Sequence, residues 1–236
     1  MSLPSYDVVL VAKKERRLLR TIQSLKDQTV PPHRIILVTA DMKNFQIEGV
    51  EWHQEEGPPT GPSKPRNMGI GLADCRVVAG FDTDVEVPPF YMERALKRLV
   101  AGQHQTAVLI GGENRCKGRL IDRFNYRLIG LFSRFMGIVW ADSIIGNNYV
   151  GWRVFLVGIQ FDENIRMMED ADISRRYRRK FGLKSKSVRF YRDLYVYTIP
   201  RRVHKVGGWW RYLATYFKAY LEYRRHGNVE SIRYFE

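Results

Sequence analysis

Short runs in which nearly every residue is apolar punctuate the first half of the chain, and polar segments of helical period separate them. DVVLVA (7–12) is followed by KKERRLLRTIQSL, where Leu18, Leu19, Ile22 and Leu25 recur at helical spacing among charges. The turn-like VPPH leads to a second run, RIILVTA (34–40). Strand, amphipathic helix and strand make a βαβ unit, whose crossover is right-handed. Runs that are apolar throughout, without alternation, suit a parallel sheet covered on both faces. GVEWHQ reads as a short third strand, EEGPPTGPSKP (55–65) as a loop, and RNMGIGLADC as a helix weakened by two glycines. VVAGF follows as a central strand, PPFYMERALKRLV as a helix with proline in its first turn, and TAVLIGG (106–112) as a further strand. Alternation of this kind predicts an α/β fold, a doubly wound, mostly parallel central sheet with flanking helices.

The second half is less regular. RFNYRLIGLFSRFMGIVWA (123–141) is a long aromatic helical segment carrying Arg123, Arg127 and Arg134. A Trp-Arg-Val-Phe segment, an FDEN turn and MMEDADISRRYRRKFG come next, and GGWWRYLATYFKAYLEYRRH (207–226) reads as an aromatic, basic helix. No internal repeat, low-complexity tract or linker divides the chain.

Composition narrows the classes. A chain of 236 residues can bury a full core, and 44 % hydrophobic and 13 % aromatic residues exclude a disordered protein. The net charge of +14 calls for an anionic partner: nucleic acid, a phosphorylated ligand or an acidic lipid surface. Cys75 and Cys116 are too few for a disulfide or metal framework. The opening MSLPSYDVVLV has neither a basic n-region nor a cleavage site and reads as the first strand. No stretch reaches the roughly 18 uncharged apolar residues of a spanning helix. These features lead us to expect a reducing, cytoplasmic setting with at most peripheral association at the inner face of a membrane.

The candidate chemistry begins where VVAGF runs into Asp82-Thr83-Asp84. In an extended strand end, residues two apart point the same way, and hard carboxylate oxygens so placed suit Mg²⁺ or Mn²⁺. Ligands of open α/β sheets lie at the carboxyl ends of the strands, where this pair falls. Taken alone, D-x-D is also an ordinary solvated turn, and Asp170-Ala171-Asp172 is a second copy of the pattern. In GPSKPRNMGIGLA (61–73), Lys64 and Arg66 lie at a helix entry after a Gly/Pro-rich loop, which offers N–H groups and cations to a phosphate or is merely a basic surface loop. Glu169 and Asp170 stand in the first turn of a helix, where the dipole favours ionised carboxylates. Such a carboxylate at a cleft can take a proton from a hydroxyl, or can be plain helix-terminus chemistry, as Asp172 and the following arginines are.

These stretches, in this order, resemble a family 2 glycosyltransferase with the GT-A fold. GPSKPRNMGI is similar to that family's G-x-x-x-A-R-N-x-G-I segment, VVAGFDTD to its apolar strand ending in D-x-D, and IQFDENIRMMEDADIS to its G-F-D-E turn before an E-D-x-D-L helix. The likeness covers about residues 5 to 205. It implies a catalytic domain over 1–205 and a C-terminal aromatic, basic helical tail over 206–236, packed on the domain or lying at a membrane interface. It also implies that Asp84 binds the metal bridging a nucleotide-sugar diphosphate, that Asp82 lies near the ribose, and that Arg66 contacts the nucleotide with Lys64 beside it. Asp170 would be the general base, paired with Glu169, and His204 would face the metal or diphosphate unless it is structural. Ala12 and Glu15 would line the base pocket. The second strand ends in Thr39-Ala40, with Asp41 one residue later, where similar enzymes carry Asp-Asp; Thr39 and Asp41 are the donor-side candidates, and the base stays open among UDP, GDP and dTDP.

The implied reaction is an inverting, metal-dependent transfer from a nucleotide-sugar to an acceptor glycan or lipid-linked acceptor. The aromatic, basic helix over 207–226 and the segment 123–141 suit an anionic membrane surface. Two rival classes remain. A nucleic-acid-binding protein would use the charge and aromatics for phosphate contact and stacking, but the sequence has no RNP, KH, finger or basic-zipper pattern, so no nucleic-acid partner is expected. A nucleotidyltransferase of similar sheet architecture would show a Gly-rich, Arg-containing signature after the first strand, and VAKKERR contains no glycine.

Overall fold

The computed structural model describes residues 2–12, 17–40, 46–56, 61–101, 109–140, 148–165, 167–181, 188–227 and 229, with the side chains of 132–140 and 202 excepted. The apolar runs of the first half and two later segments form the strands of one seven-stranded sheet. They are β1 (Tyr6–Ala12), β2 (Arg34–Thr39), β3 (Glu51–Gln54), β4 (Val77–Asp82), β5 (Leu109–Cys116), β6 (Asn148–Trp152) and β7 (Val188–Thr198). The order is β3-β2-β1-β4-β6-β5-β7, with β4 at its centre as the sequence predicts. Pairings among β1 to β4 are parallel, β6 runs antiparallel to both β4 and β5, and β7 is parallel to β5.

The helices are α1 (Leu18–Lys26), α2 (Ser63–Leu72), α3 (Tyr91–Ala101), α4 (Leu120–Trp140), α5 (Arg153–Ile159), α6 (Glu169–Phe181), α7 (Arg201–Lys205) and α8 (Trp209–His226). Strand alternation sorts the core into two layers. Tyr6, Val8 and Leu10 of β1 pack with Ile22 and Leu25 of α1 and Leu96 of α3. Val9, with Ile36 and Val38 of β2, packs on the other face with Ile70 of α2, Leu156 of α5 and Tyr177 of α6. Burial on both faces is what makes these strands read as unbroken apolar runs. Gly69 lets α2 approach β1, because a Cβ there would stand 2.4 Å from Val9 Cγ1. A third cluster seats α8, through Ala219, Tyr220 and Tyr223, against Ile165, Met167, Met168 and Ala171 at the entry to α6.

Several boundaries differ from the sequence reading: β5, read as 106–112, is described over Leu109–Cys116, and α4, read from 123, starts at Leu120. Helix α2 starts at Ser63, inside the stretch that reads as loop, since a proline in the first turn (Pro65) forfeits only a donor that has no partner anyway. Helix α3 starts at Tyr91, after both prolines, and the Tyr91 N–H donates to the Pro88 carbonyl at 2.9 Å. Cys75 and Cys116 are buried free thiols.

Candidate active site

Strand β4 delivers Asp82 to the carboxyl edge of the sheet, and the chain turns at Thr83 and Asp84. The strand therefore ends before the second aspartate, and the alternation invoked for D-x-D does not extend to Asp84. The two carboxylates engage different arginines. Asp82 accepts from Arg66 Nη2 at 3.1 Å, and Asp84 pairs with Arg201 Nη2 at 3.3 Å.

The turn is held from beneath by a polar row that begins on α1. Thr21 Oγ1, fully buried, lies 2.9 Å from the Thr83 carbonyl and 2.6 Å from that of Val85. Ser24 Oγ accepts the Val87 N–H at 3.1 Å. Gln28 Nε2 donates to the Pro88 carbonyl at 2.9 Å while Oε1 accepts the Met92 N–H at 3.0 Å. Spacing of three and four residues sets these side chains on one side of the segment. The sequence reading passed over them because they fall between the apolar positions that define the helix.

Arg66 is the hub of the site. It lies on α2, 5 % exposed, and its Nη1 donates to Glu169 Oε1 at 2.7 Å while Nη2 reaches Asp82. Burial acts to lower its pKa, but the charges of Glu169 and Asp82 outweigh that and raise it, so the guanidinium is permanently charged. Its carbon faces the Phe161 ring at 5.3 Å from the centroid. The neighbouring Asn67, which the sequence reading did not single out, clamps the FDEN turn. Its Nδ2 donates to the Phe161 carbonyl at 2.8 Å and its Oδ1 accepts the Phe161 N–H at 2.8 Å. Arg66 and Asn67 thus bind the first half of the chain to the second.

Tyr149 of β6 stands beside this hub. It packs over Gly80, where a Cβ would meet the ring at 2.1 Å, and its buried hydroxyl has no hydrogen-bond partner among the described residues. Burial raises its pKa, with the Arg66 charge acting in the opposite direction.

Glu169 and Asp170 open α6, and Met168 just before them holds a left-handed backbone at φ 72. A non-glycine residue there costs on the order of 1–3 kcal/mol, and such strain collects at functional sites. Asp170 Oδ1 accepts the Ala171 N–H at 2.9 Å, and the Asp170 side chain is partly exposed. Asp172 is structural: it accepts from Arg176 Nε at 2.6 Å and from the Tyr223 hydroxyl at 3.0 Å, tying α8 to α6.

The last strand also reaches the site. Glu86 and Tyr197 exchange backbone hydrogen bonds of 2.8 and 2.9 Å, which brings the end of β7, and α7 after it, beside the D-x-D turn. His204 is exposed on α7, three residues beyond Arg201 and so on the same side of the helix.

The remaining candidates divide. Lys64 is in the first turn of α2, its Nζ 2.5 Å from the Glu56 carbonyl. Ala12 ends β1 and is buried, and Thr39 ends β2 fully buried, its Oγ1 accepting from Trp52 Nε1 at 3.0 Å. Glu15 and Asp41 lie outside the described residues. Asp7, His33 and Cys75 form a cluster of potential metal ligands at the start of β1, away from the carboxyl edge. There Asp7 Oδ2 already accepts the N–H groups of Asp74 and Cys75 at 2.7 and 2.9 Å, and burial foremost raises the Cys75 thiol pKa.

The sheet is mostly parallel with helices on both faces, Arg66 joins acidic groups from β4 and α6 at its carboxyl edge, and solved structures share this fold. The chain is similar to TarS of S. aureus, residues 1–349, at 17 % identity and a TM-score of 0.57, covering 84 % of this chain and 61 % of that one. The same TarS fragment in complex with UDP-GlcNAc aligns at 17 % identity and 0.57 over 82 % and 58 % of the two chains. In complex with UDP it aligns at 16 % and 0.58 over 94 % and 72 %. Against the longer TarS structure the chain spans 43 % of its length. No family model matches the sequence, and no curated protein matches it. Among the described residues no helix is long and apolar enough to cross a membrane.

Proposed function

We propose that the chain is an inverting glycosyltransferase of family 2 type, moving a sugar from a nucleotide-diphosphate donor to an acceptor hydroxyl. The observation that carries this reading is the Asp82–Arg66–Glu169 bridge, which sets the D-x-D turn and the Glu169-Asp170 helix start side by side at the carboxyl edge of the sheet. A fold shared with a protein solved with UDP-GlcNAc and with UDP supports it and makes a uridine nucleotide the first candidate donor.

The reaction follows from the residues. The acceptor oxygen attacks the anomeric carbon, the bond from that carbon to the diphosphate oxygen breaks, and Asp170 takes the hydroxyl proton. Among the described residues, Lys64 and Arg201 would receive the departing diphosphate charge, which is the larger contribution to such a step. Arg66 would hold Glu169 and Asp82 in place rather than touch the nucleotide, an adjustment to the role that the resemblance implies. The residues suit a divalent ion: Asp84 is a hard oxygen ligand whose counter-ion, Arg201, is 53 % exposed at the side chain, with His204 on the same side of α7. Mn²⁺ or Mg²⁺ held by Asp84 and His204 would neutralise diphosphate charge. Ala12 and Thr39, which end β1 and β2, would border the base, with Glu15 and Asp41 as the further candidates that the resemblance implies, and the acceptor would be a glycan or a lipid-linked molecule.

Calorimetric titration of UDP, GDP and dTDP, with and without Mn²⁺, tests the donor side. Metal-dependent binding of one nucleotide, lost in Asp84→Ala and kept in Asp170→Asn, is expected. If no nucleotide binds in the presence of metal while a short oligonucleotide binds tightly, the transferase reading fails.

A further inference from the structure

Over its described side chains, 120–131, helix α4 is turned inside out. Its inward side, where the helix lies against β5 and β7, carries Asp122, Tyr126 and Gly130; Asp122 is 2 % exposed, and a Cβ on Gly130 would touch Glu113 Oε1 at 2.7 Å. Its outward side carries Leu120, Ile121, Phe124, Leu128 and Leu131, exposed by 80, 53, 58, 45 and 47 %. Arg119, Arg123 and Arg127 are interleaved with them and exposed, while the acid of this stretch, Asp122, faces inward. A helix that packs on a core in water shows the opposite distribution.

Helix α8 continues the pattern. Ala219, Tyr220 and Tyr223 are buried, whereas Trp210, Phe217 and Leu221, at spacings of seven and four, are exposed by 87, 55 and 39 %. Exposed Arg224 and Arg225 follow that row. The two helices are locked at their junction, where Trp209 Nε1 donates to Asp122 Oδ1 at 2.8 Å and its ring meets Tyr126 edge-on at 5.3 Å.

From this we infer that the outward rows of α4 and α8 form a docking surface for an anionic lipid bilayer, with the apolar side chains entering the headgroup boundary and the arginines meeting lipid phosphates. The choice of occupant rests on charge. Arginine among large apolar residues, without exposed acid on the α4 row, complements a surface that is apolar beneath and negative above. A second copy of this chain would bring the same cations against themselves on a molecule of net charge +14. The inference does not depend on the transferase reading, since it concerns a face built from other residues.

Co-sedimentation with vesicles tests it. The protein is mixed with vesicles of equal parts phosphatidylcholine and phosphatidylglycerol, and separately with phosphatidylcholine alone. Strong partition to the anionic vesicles, weak partition to the neutral ones, and at least a roughly tenfold loss in Phe124→Glu/Leu128→Glu are expected. Both positions are exposed, so the variant should melt with the parent. A second variant, Trp210→Ser/Phe217→Ser, should weaken partition as well. The inference is overturned by absence of partition in the parent chain, by equal binding to neutral vesicles, or by unchanged binding in both variants. It is equally overturned if light scattering shows a lipid-free dimer that Phe124→Glu/Leu128→Glu dissolves, because the face is then an interface between copies.

Discussion

Replacing Arg66 with methionine keeps a long side chain against Phe161 and removes the charge that Glu169 and Asp82 share. The side chains of the three groups are 6, 13 and 26 % exposed, so the guanidinium is the most desolvated member and the carboxylates retain some water. Breaking a buried ion pair by deleting one partner costs about 3–5 kcal/mol, because the other charge is left uncompensated. Partial exposure of both carboxylates places Arg66→Met near the lower end, about 3 kcal/mol. In a chain of this size that loss lowers Tm by roughly 6–12 °C. The mechanism makes a sharper claim through a double-mutant cycle. If the cost is stranded carboxylate charge, Glu169→Gln should be destabilising in the parent yet neutral or restoring in Arg66→Met, with a coupling energy of about 1 kcal/mol or more. Urea unfolding of the four proteins, followed by far-ultraviolet circular dichroism, reads these values. A loss below about 1 kcal/mol in Arg66→Met, or additive effects in the cycle, would refute the reasoning that this hub holds the site together.

Further outcomes are expected elsewhere. Gly80→Ala should cost about 2 kcal/mol or more through the clash with the Tyr149 ring, and Tyr149→Val should recover part of that loss in the double variant, as thermal melts will show. Thr21→Val leaves the carbonyls of Thr83 and Val85 without their hydroxyl donor; it should cost about 1–2 kcal/mol and weaken metal-dependent nucleotide binding by calorimetry. Asp7 bears on pH dependence: burial alone would raise its pKa, but the N–H groups of Cys75 and Asp74 outweigh burial and depress it. A carboxyl depressed in the folded state contributes stability above its unfolded value of about 3.9 and loses it as pH falls through the folded pKa. Asp7→Asn should therefore be less stable near neutrality and show a flatter stability profile below about pH 4 in urea titrations.

The first half of the fold was legible because its strands are buried on both faces, so β1, β2 and β4 register as apolar runs and their helices as periodic ones. The later strands were not. β6 is five residues long and contains Asn148 and Gly151. β7 is only partly buried and carries Arg189, Arg192 and Asp193 among its aromatics, which hides it from a search for apolar runs. The D-x-D turn announced itself because a core strand that ends in charge is conspicuous. Its partners did not, since Arg66 and Glu169 lie 103 residues apart and no local pattern reports such a pairing.

The R-N dipeptide shows what local reading leaves out. As sequence, Arg66 and Asn67 are a cation and an amide at a helix entry, consistent with a phosphate cradle. As structure they divide one task between adjacent positions, which on a helix face directions about 100° apart. Arg66 turns toward the sheet and couples the acid of β4 to the acid of α6, while Asn67 turns toward the FDEN turn and holds both backbone groups of Phe161. Neither function tolerates exchange of the two residues, because the guanidinium would then miss its two carboxylates and the amide its paired N–H and C=O. Gly69, two residues on, brings the same helix close enough to β1 for both reaches to be made. The spacing of R-N-x-G is thus set by three contacts of one short helix, and the site depends on all three.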